Sequence, residues 1–221
     1  MNTLTKMALG LMGRLKPQEP TGQAQATLAL PPANTHGGMP LMQALAQRQS
    51  LREFDPAPLS LQTLSNLLWA AAGVNRPELG GRTAPSAMNA QEVDVYVALP
   101  QGLYRYEPVA QALHLAQEAD VRRVTGYQDF VDGAPMDLIF VADHARMKLV
   151  PAPQRESYAS VAAGAMAQNV YLYCASNGLA CVLRAWLDRA ALAQAMGLSN
   201  DQQVLLAQTV GGRLPPAPAA A

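Results

Sequence analysis

A chain of 221 residues, half of them apolar, can bury a substantial core without staples and is most simply one folded domain with appended ends. Sixteen basic residues balance sixteen acidic ones, which removes the broad positive field of a binder of nucleic acid or anionic membrane. No apolar run approaches the ~20 residues of a membrane span, and two cysteines with three scattered histidines are too few for a disulfide framework or a zinc site. Cys174 and Cys181 are therefore expected to pack inertly in the core, and neither nucleic acid nor membrane is an expected partner.

The opening stretch, "MNTLTKMALGLMG", sets a lysine before a short apolar run, and Ala24 and Ala26 offer a small-residue cleavage pattern. Arg14, Lys16, Pro17 and Glu19 interrupt the path to that site. Residues 1–39 are accordingly read as an unprocessed arm of a cytoplasmic protein, with export through a cleaved signal as the alternative. Residues 17–40 are rich in proline and read as an extended lead into the fold. The fold itself is expected over residues 40–214, followed by a Pro/Ala-rich tail at 215–221.

"MPLMQALAQR" spaces Leu41, Ala44, Leu45 and Arg48 as one helical face, with Pro40 suited to the first turn. "LSLQTLSNLLWAAAGV" predicts a buried helix, capped by Ser60 and stopped at Gly73. "VDVYVAL" and "GLYRYEP" predict a hairpin turning at residues 100–102. "ADVRRVTGYQDFVDGAP" reads as mixed helix and loop, with Asp120 as a possible cap, and "MDLIFVAD" as a central strand. "ESYASVAAGAMAQNVYLYCASNGL" predicts a long helix whose small residues Ala159, Ala163, Gly164 and Ala167 allow close approach of another backbone. "ACVLRAWLD", "RAALAQAMGLS" and "QQVLLAQTVGG" then predict strand or loop, helix and terminal strand. The hairpin and the early helix pair do not fit repeated crossover units, so the expected class is α+β, a sheet between helices.

Hydrolase and metalloenzyme motifs are missing: there is no glycine-rich fingerprint, phosphate loop, nucleophile elbow or histidine pair at ligand spacing. What remains is polar residues where a core would not choose them. Arg48, Ser50 and Arg52 in "QRQSLREF" lie close enough to converge on one anion, because guanidinium forks bind phosphate and a hydroxyl adds a donor. The alternative is that the arginines only cap the carboxyl end of a helix. "RTAPSAMNAQ" is a loop without helix or strand character between two long apolar segments, suited either to turning the chain or to presenting polar groups to a ligand.

"RQSLREF", "LLWAAAGVNR", "RTAPSAMNAQ" and "VYVAL", in that order, together with "AGAMAQNVYLYCASNGLACVLRAW", resemble the nitroreductase family of FMN-dependent oxidoreductases, closest to its small SagB-like members. The likeness covers roughly residues 40–212. It implies a three-layer fold with a central, mainly antiparallel mixed sheet flanked by helices, in a domain-crossing homodimer that holds FMN at the subunit interface. It implies further that Arg48, Ser50 and Arg52 hold the phosphate and ribityl chain, with Gln49 standing where the family often has a second arginine. Pro85, Ser86, Ala87 and Asn89 would reach the flavin from the partner subunit, although a helix-entry turn capped by Ser86 accounts for the same residues. Leu183, Arg184 and Ala185 would face the flavin edge; alternatively Arg184 is an ordinary partner for Asp188. Ala185 departs from a glycine common in similar members. Gln128 would be a further ribityl contact, Gly212 and Arg213 would complete the phosphate site, and Tyr127 would line the substrate side. Trp69, Tyr171 and Tyr173 fall on apolar helix faces and are expected in the core or a subunit contact.

The implied function is hydride transfer from NAD(P)H through flavin N5 to a small acceptor such as a nitroaromatic, quinone or enone. The cofactor carries the chemistry, so no catalytic side chain is expected. An azoline dehydrogenase acting on a modified peptide and a non-catalytic flavin-binding protein are the alternatives.

Overall fold

A computed structural model describes residues 26–214. The candidate targeting segment, most of the N-terminal arm and the tail at 215–221 lie outside the described residues.

Seven strands form one sheet: β1 (Thr27–Ala29), β4 (Val93–Leu99), β5 (Gly102–Glu107), β6 (Ala112–Gln117), β7 (Met136–Asp143), β8 (Leu179–Arg184) and β9 (Gln202–Gly212). Their order is β1-β6-β5-β4-β7-β9-β8, and every pairing among the described residues is antiparallel. Strand β7 lies between β4 and β9, and its side chains alternate between two cores. Leu138 and Phe140 face one layer, with the helices α2 (Leu61–Ala72) and α3 (Ala152–Ser176). Ile139 and Val141 face the other, with α4 (Arg189–Met196). The result is the expected three-layer α+β arrangement.

Local chemistry fixes the helix ends. Ser60 accepts a hydrogen bond from the Thr63 N–H at 3.1 Å and caps α2, a contact typically worth about 1 kcal/mol. Gly73 ends that helix with an ordinary negative φ rather than the left-handed geometry a stop glycine usually supplies. A Cβ there would collide with the Trp69 ring and carbonyl, so close approach is what requires glycine. Asp188 caps α4 through the Ala191 N–H at 2.9 Å, and Gly197 closes it at φ 68°. Asp120 accepts from the Arg122 N–H at 3.0 Å just before a short 3₁₀ turn at Arg122–Val124.

Several features differ from the sequence expectations. Part of the proline-rich lead is the edge strand β1, and Leu30 after it is buried. Strand β6, "ALHLAQ", was not expected: alanine and glutamine disfavour strands, and its pairing with β5 overrides that preference. Strands β2 (Val74–Arg76) and β3 (Gly81–Arg82) form a small hairpin after α2. Helix α1 (Leu41–Gln47) buries only Ala44, leaving Leu41 and Leu45 of its expected inward face exposed. In α3, Ala159, Ala163 and Ala167 are fully buried, whereas a side chain at Gly164 would meet open space.

Candidate functional site

The chain leaving α1 runs as a strap, residues 48–55, against the β8 edge of the sheet. The Leu51 N–H donates to the Cys181 carbonyl of β8 at 3.0 Å, and the Asp55 N–H to the Gly212 carbonyl of β9 at 2.9 Å. Beneath it, Phe54 packs with Ala134, Ala180 and Val182, joined by Leu51 and Phe130. The Phe54 and Phe130 rings lie 5.7 Å apart, which brings the loop carrying Gln128 to the same place. One small apolar cluster thus gathers the strap, that loop and the edge strand β8.

Arg48, Gln49, Ser50 and Arg52 lie on the strap, with Ser50 and Arg52 exposed. The Arg48 guanidinium stands 5.3 Å from the centroid of the Tyr171 ring. Arg213, beyond β9, donates from Nε to the Leu179 carbonyl at 3.2 Å. Arg48, Arg52 and Arg213 form no ion pair among the described residues. A ring contact holds Arg48 and a backbone carbonyl holds Arg213, while Arg52 is simply exposed on the strap.

Tyr171 was expected only to pack. It is buried, but its hydroxyl receives the Leu183 N–H at 2.8 Å and lies 2.8 Å from Ser50 Oγ. Apolar periodicity located the ring, while nothing in the sequence revealed what its oxygen would meet.

Arg184 requires a correction. Its side chain turns into the protein, 3% exposed, and binds Asp137 at 2.5 Å, the Thr125 carbonyl at 2.6 Å and Thr209 Oγ1 at 2.9 Å. It is not paired with Asp188, which is occupied in capping α4. Burial lowers the Arg184 pKa and raises the Asp137 carboxyl to about 6, with the neighbouring Arg184 charge opposing the latter shift. A Cβ at Gly126 would occupy the position of the Arg184 guanidinium, so this glycine is needed for the anchor to form. Beside the anchor, Gln128 Oε1 is buried without a hydrogen-bond partner. Ala185 and Trp186 emerge exposed past the end of β8, and the Trp186 ring lies 5.5 Å from that of exposed Tyr127.

The proline loop belongs to a different region. Met88, Asn89 and Gln91 all have left-handed φ values, 54°, 53° and 51°, a strained run for residues with side chains. Ser86 occupies the N-cap position of the 3₁₀ turn Ala87–Asn89, yet its hydroxyl makes no capping bond. It donates to Glu92 Oε2 at 2.7 Å and accepts from the Gln91 N–H at 2.7 Å. The Gln91 amide donates to the Gly80 carbonyl at 2.6 Å and to Asn89 Oδ1 at 3.1 Å. Asn169 of α3 reaches the adjoining Thr83 carbonyl at 3.5 Å. The strap is thus anchored on β8, on β9 and on Tyr171 of α3, and the loop on Asn169 of the same helix, the small hairpin and the start of β4.

A cleft of about 600 Å³ opens among α1, α2 and α3, bordered by His36, Trp69, Asn169 and Tyr173. It includes none of the cofactor residues expected from sequence. The charges that could hold an anion lie instead on the open edge of the sheet.

Among the described residues no cluster of three metal-ligating side chains occurs and no helix is long and apolar enough to cross a membrane. A protein of Methanocaldococcus jannaschii that carries a provisional nitroreductase name is 33% identical over 152 residues, 64% of this chain and 76% of its own. A crystal structure from Ralstonia eutropha JMP134, provisionally described as a nitroreductase, is 53% identical with TM-score 0.83, covering 91% of this chain and 96% of that one. Another, from Desulfovibrio desulfuricans and in complex with FMN, shares the fold at 22% identity and TM-score 0.59, covering 84% and 92%. The pattern of the nitroreductase family matches residues 45–212, and the chain belongs to that family.

Proposed function

We propose that the chain is an FMN-dependent oxidoreductase that passes hydride from NAD(P)H to a small acceptor, with each site completed across a homodimer. The observation that carries this reading is that the strap bearing Arg48, Ser50 and Arg52 attaches to the edge strand β8, as does Arg213, with charges that no carboxylate among the described residues neutralises. A phosphate monoester fits that donor set, since guanidinium forks and a hydroxyl complement its oxygens. Gln128 Oε1, buried without a partner, fits the hydroxyls of a ribityl chain. When bound, FMN supplies reversible two-electron chemistry that no side chain can supply.

The protein's own part is placement. The strap fixes the phosphate end, and the Arg184–Asp137 anchor holds the end of β8 rigid where Leu183 and Ala185 would border the flavin. The Leu183 N–H is engaged by Tyr171, which leaves exposed Ala185 as the backbone group to steady charge on the reduced ring. Tyr127 and Trp186 offer exposed aromatic faces to a flat acceptor such as a nitroaromatic, quinone or enone. Pro85, Ser86, Ala87 and Asn89 would enter from the second subunit. The exposed apolar side chains Leu41, Met42 and Leu45 on α1 and Val161 on α3 favour that arrangement.

The test is the visible spectrum of the purified protein loaded with FMN, recorded anaerobically. Flavin bands that bleach on addition of NADH or NADPH and recover with an acceptor are the expected result. Bound flavin that neither nicotinamide bleaches would overturn hydride transfer and leave binding standing.

A further inference from the structure

We infer that Tyr171 is a positioning residue for the phosphate end of the site, and that it acts by setting the direction of the Ser50 hydroxyl proton. The phenol oxygen accepts the Leu183 N–H at 2.8 Å and lies 2.8 Å from Ser50 Oγ, and these are its hydrogen bonds among the described residues. Tyr171 is buried, so its one O–H needs a partner inside the fold, and Ser50 Oγ is within reach. With the phenol donating, Ser50 accepts, and its own proton is left to point outward from an exposed residue. The outward direction is the side of the unpaired charges: Arg48 lies over the same tyrosine ring and Arg52 is two residues on. The hydroxyl is thereby presented as a donor on the strap that carries both arginines, before any anion arrives. Pre-set donors cost no reorganisation when the ligand binds, which is how a neutral hydroxyl comes to discriminate for an anion.

The inference rests on the assignment of FMN phosphate to this strap, and flavin-free protein titrated with FMN and with riboflavin separates the two. Tyr171→Phe keeps the ring under Arg48 and removes only the oxygen. It should weaken FMN about tenfold while shifting riboflavin, which lacks the phosphate, by less than about twofold. Ser50→Ala should produce a loss of similar size, and the double variant should bind FMN no worse than Ser50→Ala alone. Equal weakening of both flavins would assign Tyr171 a merely structural role and overturn the inference. Unchanged FMN binding, or losses that add in the double variant, would overturn it as well. Wild-type protein that binds FMN no better than riboflavin would instead overturn the placement of the phosphate on the strap, and the inference with it.

Discussion

Two groups of arginines in this protein behave in opposite ways. Arg184 is enclosed by Asp137, Thr125 and Thr209, and Arg146 likewise grips Asp94 through two bonds at 2.9 and 2.7 Å. Arg48, Arg52 and Arg213 have charges that meet no carboxylate among the described residues. A buried charge must be neutralised to be tolerated, so the first group belongs to the scaffold. A rim charge left to solvent costs the fold little and remains available to a ligand. The difference shows that exposure and pairing, rather than residue type, separate the arginines built into the scaffold from those whose charge remains available to a ligand.

The largest expected effect comes from breaking the enclosed group. Asp137→Ala strands the Arg184 charge in the interior and should remove about 3–5 kcal/mol of stability, read from chemical or thermal unfolding. A loss below 1 kcal/mol would mean that the pair is not the anchor described. Next, Arg48→Ala with Arg52→Ala should leave the melting temperature nearly unchanged while weakening FMN by about 1.5–3 kcal/mol for each charged hydrogen bond lost. A double variant that melts early but binds FMN normally would reverse the assignment of the two groups.

A pH series sharpens the comparison. Burial holds the Asp137 carboxyl at about 6, above its ordinary 3.8, so the folded chain binds that proton more tightly than the unfolded one. Stability from this group is therefore fullest below pH about 4, declines as pH rises toward about 6, and is level above that. Asp137→Asn should flatten this segment of the stability profile, and parallel curves for the two proteins would exclude Asp137 as its source. The smallest effect belongs to Gln49→Arg, which adds a fourth cation to the exposed rim. About threefold tighter FMN binding is expected by titration, since solvent screens such a charge heavily.

Much of the scaffold was legible because its signals are local. Ser60 caps α2 and Gly73 ends it, Leu99 and Gly102 close the hairpin, and alternating apolar residues identify β4 and β7. Strand β1 was not legible because its partner β6 lies 87 residues away at the Thr27–His114 contact, and β6 was not because its alanine and glutamine residues disfavour strand on their own. Within the site, the clustered arginines and the small-residue loop stood out because a core would not select them. The role of the Tyr171 hydroxyl did not, because a tyrosine on an apolar helix face looks the same whether its oxygen meets water or two residues from other elements.

By itself the sequence determined the family, the layered class and the identity of the polar residues set apart from the core, because periodicity, caps and motif order are written along the chain. Only the tertiary structure decided which arginines are enclosed by the scaffold and which keep an unpaired charge, and that Ser50, Tyr171 and Leu183 meet in one hydrogen-bonded group. Those outcomes depend on which distant side chains meet in three dimensions. A charge is neutralised, or a proton directed, by neighbours in space, and the linear order of residues does not state who those neighbours are.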